Sequence, residues 1–382
     1  MRRLAAPISF LFAARLVLNT GYRLVYPFLP AISRGLGISL NQGGLLVAAR
    51  NLAGTATPAV IAGVRPGRNS RRLIVVALAL FALGAAVTSA TGFFWGALVG
   101  FVLMGMGKPA FDVGAMSYLA DRTPYERRAR ILSVLELTWA GSLLVGAPAV
   151  GWLIVRNGWE APFWVISGLA GLAVLASFRL LAGASGEEET GEKNPPIDRS
   201  GRVLLLVFIL FSTAAELIFV ALGSWLELEF GLSIIALGGF AAFLGISELT
   251  GEFTTLALAD RFGKRNSVMG GIVLAMTGFA LIATVGGSLT GALIATGVAF
   301  VGFEITIVSA LPFATEVQPG ARSRYLGLIQ VAMAVARAMG AVVGNPLFDR
   351  FGIGANAGAA VILNLVALGL LFSFVREHHS NR

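Results

Sequence analysis

Eleven charged side chains lie inside long apolar segments of this 382-residue sequence, away from the segment ends. They are Arg15, Arg23, Arg50, Lys108, Asp112, Glu136, Glu216, Glu248, Glu252, Glu304 and Arg337. A charged group in the middle of a bilayer costs at least about 2.5–3.5 kcal/mol, so it faces a protein interior or a water-filled cavity. Buried carboxyl groups can exchange protons there, and buried guanidinium groups can bind carboxylates or phosphates. The sequence therefore predicts proton exchange and anion binding inside a membrane protein.

The first apolar segment carries a stripe of polar side chains. Arg15, Asn19, Arg23 and Tyr26 follow one another at helical spacing, which places them on the same side of a helix. The planar guanidinium group of arginine can bond two oxygens of a carboxylate, sulfonate or phosphate at once. We therefore expect Arg15 or Arg23 to hold the anionic group of a bound compound.

Two carboxyl groups, those of Glu216 and Glu304, lie near the middle of apolar segments, with no opposite charge within one helical turn along the sequence. Removal of a carboxyl group from water disfavours its charged form, so such a group can exchange a proton in the physiological range. Asp112 is a third candidate for proton exchange. Its spacing of four residues from Lys108 also suits a static ion pair, and the sequence leaves both roles open.

A further pair of acids, Glu248 and Glu252, lies one helical turn apart near the end of another apolar segment. Like charges at this spacing repel, so at least one of them is expected to be protonated or bound to a cation such as Arg337. We expect the pair to contribute to a gate at this end of the helix.

The composition excludes a soluble globular enzyme and a disordered chain. Hydrophobic residues make up 56% and charged residues 13% of the sequence, and the mean hydropathy is +0.81. A soluble domain has about 25% charged residues. There is no cysteine, and the two histidines, His378 and His379, lie in a polar tail, so we expect neither a metal site nor a cofactor. Because a nucleophile elbow (G-x-S-x-G) is also missing, we do not expect an enzyme.

Apolar segments long enough to cross a membrane follow one another along the sequence. A membrane helix needs about 20 apolar residues, which leaves room for about twelve with short loops. An acidic segment rich in Gly, Ser and Pro, 183–202, is predicted to be a flexible cytoplasmic linker. We therefore predict an all-α membrane protein with twelve transmembrane helices in two pseudo-symmetric six-helix bundles, residues 1–182 and 203–382. The predicted spans are 7–33, 41–63, 73–92, 94–119, 130–154, 160–181, 203–228, 234–258, 267–286, 288–314, 324–347 and 354–375.

The lysines and arginines indicate the orientation in the membrane. Most of them lie in or beside the termini and the even-numbered loops, whereas the odd-numbered loops hold Arg34, Arg156 and Arg350. By the positive-inside rule, both termini face the cytoplasm. The basic charge therefore follows from topology, and no nucleic-acid partner is expected. We expect a multi-pass monomer in the lipid bilayer of a bacterial cytoplasmic membrane.

Two loops, half a chain apart, carry related motifs. Residues 258–265 read Leu-Ala-Asp-Arg-Phe-Gly-Lys-Arg, and residues 63–72 repeat the spacing with Gly63, Arg68, Arg71 and Arg72. Both resemble the G-x-L-A-D-R-x-G-R-R loop of the major facilitator superfamily of transporters, which joins the second and third helices of each half. Gly67 stands where the acid is expected in the first copy.

The resemblance implies transport by alternating access, with helices 1, 4, 7 and 10 lining a central cavity and 3, 6, 9 and 12 outside it. The charges agree with this arrangement, because the third, sixth, ninth and twelfth predicted spans carry none away from their ends. The expected partners are protons and a small-molecule or lipid-like substrate. Expected gate residues are Arg68, Asp260, Arg261, Gly263, Lys264, Arg265, Glu248 and Glu252. Expected substrate-binding residues are Arg15, Asn19, Arg23, Tyr26, Lys108, Glu136 and Arg337. Expected proton-coupling residues are Glu216, Glu304 and Asp112.

Residues 146–151 in the fifth span resemble in part the G-P-x-x-G-G motif of antiporters in this superfamily. This favours proton-coupled efflux of small amphipathic compounds, as in the drug:proton antiporter branch. Two arginines in the first span suit an anionic or zwitterionic substrate. The alternatives are translocation of a lipid or lysolipid, and uptake of an organic anion.

Overall fold

The computed structural model describes residues 2–57, 66–124, 131, 134–181 and 196–375, except the side chains of 2–4, 66–69, 258, 260 and 323. Every regular element within these ranges is helical. This follows from the composition, because a chain in lipid must satisfy its backbone hydrogen bonds within each helix. The prediction of an all-α membrane protein is confirmed.

The first half contains eight described α-helices. They are α1 (Arg2–Arg23), α2 (Val25–Gly35), α3 (Leu40–Ala53), α4 (Pro66–Thr91), α5 (Phe94–Arg122), α6 (Thr138–Gly141), α7 (Ala147–Asn157) and α8 (Ala161–Leu180). α6 and α7 belong to one span, Val134–Asn157. α3 covers the first part of the predicted second span, whose remainder after residue 57 lies outside the described residues.

The second half contains seven. They are α9 (Arg199–Phe219), α10 (Leu222–Phe230), α11 (Ile234–Phe262), α12 (Lys264–Val285), α13 (Leu289–Val317), α14 (Arg322–Phe351) and α15 (Ile353–Phe374). Among the described residues, ten helical segments can each cross a membrane, and α1 with α2 forms a further, bent span. Together with α3 these account for the twelve predicted spans.

The first span is bent, which corrects the prediction of one continuous helix over 7–33. Its two parts, α1 and α2, meet at Leu24 with an angle of 57°. Pro27 has no N–H to donate to the carbonyl of Arg23, and Pro30 has none for Tyr26, so the helical ladder fails at this point. Tyr26 therefore lies beyond the bend and is not on a straight stripe with Arg15.

The fifth span contains a π-turn, Ser142–Gly146, between α6 and α7. The N–H of Ala147 donates to the carbonyl of Ser142, five residues earlier. The next residue, Pro148, cannot donate to Leu144, so the regular ladder is interrupted where the wider turn ends. A β-carbon on Gly146 would lie 2.2 Å from Oγ1 of Thr20, so this span packs closely against α1.

Glycines bring the third and fourth membrane spans of each half into close contact. A β-carbon on Gly84 of α4 would lie 2.5 Å from the carbonyl oxygen of Gly100 on α5. In the second half, a β-carbon on Gly278 of α12 would lie 2.3 Å from the backbone nitrogen of Ala299 on α13. Small residues at such crossings let membrane helices approach and increase their van der Waals contact. The equivalent helices of the two halves thus pack closely in the same way, through glycine at the helix crossing.

The start of α9 is tied to α13 and α14. Oδ1 of Asp198 accepts hydrogen bonds from the N–H of Gly201 at 2.6 Å and from Nε2 of Gln318 at 2.5 Å. The hydroxyl group of Tyr325 donates to the carbonyl of Gly201 at 2.6 Å. Asp198 therefore caps the helix and also joins it to the segment between α13 and α14. We call these four residues the α9 clasp.

The chain divides into two compact units, residues 1–190 with 233–242, and 191–232 with 243–382. α9 begins at Arg199, within the segment predicted as linker, and residues 183–195 of that segment lie outside the described part. Among the described spans, the apolar parts of the seventh and tenth are the most buried, and that of the twelfth is the most exposed.

Candidate functional site

The first unit encloses a group of four charges around Arg15, which is only 4% exposed. Nε of Arg15 lies 3.0 Å from Oδ1 of Asp112, and Nη2 lies 3.0 Å from Oε1 of Glu136. Nη1 of Arg15 donates to the carbonyl of Leu135 at 2.7 Å. One guanidinium group thus joins α1 to α5 and to the start of the fifth span.

Lys108 completes this group by forming an ion pair with Oδ2 of Asp112, one turn along α5. The pairing predicted from their spacing is confirmed. Two cations, Arg15 and Lys108, and two acids, Asp112 and Glu136, sum to a net charge of zero. The two cations are buried, whereas the side chains of Asp112 and Glu136 are 24% and 43% exposed. Ions out of water cost several kcal/mol each unless they are paired and hydrogen-bonded, so the two acids permit the burial of the two cations. We call these four residues the charge cluster.

Arg23, two turns along α1 from Arg15, stacks on an aromatic ring. Its guanidinium carbon lies 4.3 Å from the ring centroid of Trp139, and Nη1 donates to the carbonyl of Trp139 at 3.0 Å. Nζ of Lys108 lies 5.8 Å from the same centroid. Two cations therefore interact with one indole ring, whose negative face attracts them.

Asn19 links these two groups. It lies one turn from both Arg15 and Arg23, is fully buried, and donates through Nδ2 to Oγ1 of Thr138 at 3.0 Å. The segment from Leu135 to Trp139 thus faces the predicted stripe of α1 over two turns. Glu136 was predicted from its charge, but Thr138 and Trp139 were not. An aromatic residue three positions after an acid inside an apolar segment is the signal that could have indicated Trp139.

Arg50 lies in a separate aromatic setting within the first unit. Its guanidinium carbon is 3.8 Å from the ring centroid of Tyr22 and 5.3 Å from that of Tyr26. Nη2 of Arg50 donates to the hydroxyl oxygen of Tyr26 at 3.1 Å, and the hydroxyl group of Tyr22 donates to Oδ1 of Asn51 at 2.9 Å. Tyr26 was predicted to share a site with Arg15, and in the structure it contacts Arg50. Tyr22 and Asn51 were not predicted from the sequence.

The second unit buries the acids predicted for proton coupling. Glu216 on α9 is 1% exposed and Glu304 on α13 is 8% exposed. Each lies against a glycine of a neighbouring helix. A β-carbon on Gly340 of α14 would be 2.6 Å from Cβ of Glu216, and one on Gly251 of α11 would be 2.7 Å from Cβ of Glu304.

The remaining acids and the cation predicted for this half lie on α11 and α14. Glu248 is buried, while Glu252, one turn further along α11, and Arg337 on α14 are half-buried. The predicted binding of one of these acids to Arg337 stays a prediction.

The predicted gate loop of the second half joins the start of α12 to neighbouring helices of its own unit. Lys264 forms an ion pair with Glu316 near the end of α13. Arg265 donates to the carbonyls of Phe372 at 2.9 Å and Val375 at 3.0 Å, at the end of α15. Arginine at this point satisfies carbonyls that have no partner within the helix.

A comparable contact exists in the first half, where Nη2 of Arg71 donates to the carbonyl of Phe178 at the end of α8, at 3.1 Å. Arg261 is exposed, and Gly263 adopts a positive φ of 80° at the junction of α11 and α12. The side chains of Arg68 and Asp260 lie outside those described. A role for any of these residues in gating therefore stays a prediction.

The geometry matches what comparisons with known proteins indicate. A family model described as the Major Facilitator Superfamily matches residues 11–341. An uncharacterised MFS-type transporter of Bacillus subtilis, YbcL, is 23% identical over 96% of this chain and 94% of its own length. A cis,cis-muconate transport protein of Acinetobacter baylyi is 25% identical over 68% of this chain and 67% of its own. The class C tetracycline resistance protein of Escherichia coli is 26% identical over 69% and 70%.

A solved structure has the same fold. The crystal structure of a bacterial homologue of the human lysosomal transporter Spinster superposes with a TM-score of 0.77 at 14% identity and covers 97% of both chains. This agrees with the predicted twelve-helix, two-bundle architecture. The match to the family model extends over most of the chain. The chain therefore belongs to the major facilitator superfamily of membrane transporters.

Proposed function

We propose that the protein is a secondary active transporter that exchanges protons for small amphipathic anionic or zwitterionic compounds and exports them by alternating access. The observation that carries this proposal is the burial of Glu216 and Glu304 within membrane helices. The charge state of a carboxyl group that is shielded from water depends strongly on its surroundings, so a change in those surroundings can load or release a proton. Glu216, Glu304 and Asp112 are the proposed proton-coupling residues.

The interior of the first unit favours an anionic substrate. Away from their ends, its described spans hold four cations, Arg15, Arg23, Arg50 and Lys108, against two acids of the charge cluster, which leaves an excess of two positive charges. A carboxylate, sulfonate or phosphate would relieve this excess. The A. baylyi relative is named for cis,cis-muconate, a dicarboxylate, which supports the same substrate class.

The charge cluster changes which arginine we propose for recognition of the anion. Arg15 is buried and already contacts two carboxylates and a carbonyl group, so loss of these contacts would leave a buried cation without its partners. Arg23 instead stacks on Trp139, a half-buried ring that would also contact an apolar part of an amphipathic compound. We therefore assign the anionic group to Arg23, with Asn19, Lys108 and Trp139 around it, and a positioning role to Arg15.

Export is the proposed direction, supported by the relative that confers tetracycline resistance and by the partial antiporter motif in the fifth span. Both termini are proposed to face the cytoplasm, and the protein is proposed to act as a monomer. The loop around Asp260 and the first-half loop around Arg68 are proposed as cytoplasmic gates. Uptake of organic anions and translocation of lysolipids are the outcomes that the following experiment distinguishes from export.

Binding to the purified protein tests the assignment of Arg23. The probes are cis,cis-muconate (anionic), tetracycline (zwitterionic), a lysophospholipid, and tetraphenylphosphonium as a monovalent cation. We expect Arg23→Ala to weaken binding of muconate or tetracycline by about tenfold to a hundredfold, because a hydrogen bond to a charged group contributes about 1.5–3 kcal/mol. Arg23→Lys keeps the positive charge but not the planar guanidinium group, so it should weaken binding less than Arg23→Ala does.

The matched control is Arg156→Ala. Arg156 stacks on Trp152 at 4.8 Å in the same manner, but both side chains are exposed. It should leave binding unchanged. Binding of tetraphenylphosphonium that survives Arg23→Ala undiminished, with no binding of the anionic and zwitterionic probes to the wild-type protein, would contradict the assignment. Flux of the bound probe in proteoliposomes, under inward and outward pH gradients, distinguishes export from uptake.

A further inference from the structure

Two of the acids proposed for proton coupling, Glu216 and Glu304, share one structural feature, a neighbouring helix whose glycine backbone covers the base of the side chain. At Gly340 of α14, a β-carbon would lie 2.6 Å from Cβ and 3.0 Å from Cγ of Glu216, and 3.0 Å from the carbonyl oxygen of Thr213. Carbon atoms that are not bonded to each other do not approach within 3.0 Å. The contact between α9 and α14 at Glu216 therefore exists only because residue 340 has no side chain.

The atoms that would clash cannot move aside independently. Cβ of Glu216 is fixed to the backbone of α9, and the Thr213 oxygen belongs to that backbone. A side chain at position 340 would therefore have to push the two helices apart. This change alters the burial of the carboxyl group, which is now 1% exposed.

The same arrangement occurs at the other acid, on a different pair of helices. A β-carbon on Gly251 of α11 would lie 2.7 Å from Cβ of Glu304 and 2.8 Å from the carbonyl oxygen of Val301. In the first unit, the close contact of Gly146 is with Thr20, which carries no charge. A glycine thus packs against a buried acidic side chain twice in the second unit, at Glu216 and at Glu304, both of which are proposed for proton coupling.

We propose that Gly340 and Gly251 are positioning residues for proton coupling: each glycine lets its helix pack against the base of an acidic side chain, Glu216 or Glu304, and so holds the carboxyl group in its buried position. This inference rests on the proposed function. It links proton loading to helix movement, because a shift of α14 along α9 removes the backbone that covers Glu216 and admits water to the carboxyl group.

Charged residues on several helices that pack against α9 can act on Glu216. Within the span and its neighbours, α14 contributes Arg337, three residues before Gly340, α13 contributes Glu304, and α10 contributes Glu227 and Glu229, whereas the described residues of α15 contribute none. Displacement of the Glu216 side chain changes its distance from these charged residues. The environment of this carboxyl group is therefore sensitive to the residue at position 340.

The test compares Gly340→Ala with Gly344→Ala. Gly344 lies one turn further along α14 and is packed as tightly, since a β-carbon there would be 2.4 Å from Cγ1 of Val220 and 3.0 Å from the Leu217 carbonyl oxygen. It meets α9 without contacting an acid, so it controls for loosening of the helix pair. The readouts are the infrared carboxyl band of Glu216, identified by its loss in Glu216→Gln, and the pH dependence of tetracycline or muconate transport in proteoliposomes.

We expect Gly340→Ala to shift the Glu216 band and to move the pH of half-maximal transport by about half a unit or more, whereas Gly344→Ala changes neither. A wild-type band in Gly340→Ala, or an equal shift in both variants, overturns the inference. If Gly340→Ala does not fold, Gly251→Ala with the Glu304 band gives the same test. Failure of the proposed function is a different result: Glu216→Gln and Glu304→Gln would then both retain full proton coupling.

Discussion

At the scale of single residues, the first unit holds its buried ions in a balanced group. Arg15 contacts both acids, and Lys108 shares Asp112 with it. The pairing of Lys108 with Asp112 could be predicted, because spacing along one helix fixes it. The partners of Arg15 could not, because they lie on two other spans and the sequence offers four cations for two acids. The position of Trp139 beside Arg23 has the same tertiary origin.

Because the charges of the cluster sum to zero, the loss of stability caused by removal of one charge should be reversed by removal of an opposite charge. Asp112→Asn should destabilise the protein strongly, because Arg15 and Lys108 then face a single acid; loss of one partner of a buried pair costs about 3–5 kcal/mol. The double variant Lys108→Met/Asp112→Asn restores the balance and should recover much of that loss. The measurement is the unfolding temperature of the purified variants in detergent. A double variant as unstable as Asp112→Asn would show that the charges are not coupled.

At the scale of elements, apolar length predicts the spans well and predicts their interruptions poorly. The bend at Leu24 and the π-turn at Ser142–Gly146 each lie beside prolines. Proline has no backbone N–H and so interrupts the hydrogen bonds of a helix, but a hydropathy profile does not contain this information. α4 begins at Pro66 rather than near residue 73, because its first turns are polar and hydropathy assigns them to the loop. Helix ends of this kind are set by caps and neighbouring helices.

The α9 clasp predicts local stability at one helix end. Asp198→Ala should speed amide hydrogen exchange in the first turn of α9 and also around Gln318, because Asp198 accepts hydrogen bonds from both places. Loss of such a cap typically costs about 1 kcal/mol, equivalent to roughly fivefold faster local opening. Ser288→Ala is the control, since Ser288 caps α13 through Gly291 and its other hydrogen bond, to the carbonyl of Val285, lies only three residues away along the chain. Unchanged exchange at Gln318 in Asp198→Ala would show that the clasp does not couple the two segments.

At the scale of the whole molecule, the sequence repeat, the charge distribution and the loop motif all indicated a duplicated twelve-helix transporter, and membership of the superfamily is confirmed. The substrate could not be identified in this way, because it depends on side chains brought together from several spans. Burial of the two acids follows from folding and agrees with their mid-span positions. Their contact with Gly340 and Gly251 is visible only once the helices are packed.

The central claim is that proton movement is coupled to substrate movement through Glu216 and Glu304. The direct measurement is substrate-driven proton flux in proteoliposomes that contain a trapped pH-sensitive dye, with muconate or tetracycline added on one side. The account predicts that the wild-type protein moves protons in the direction opposite to the substrate, and that Glu216→Gln and Glu304→Gln abolish this flux while the protein stays folded. Proton flux of wild-type size in both variants would contradict the account, as would substrate flux through the wild-type protein without proton movement.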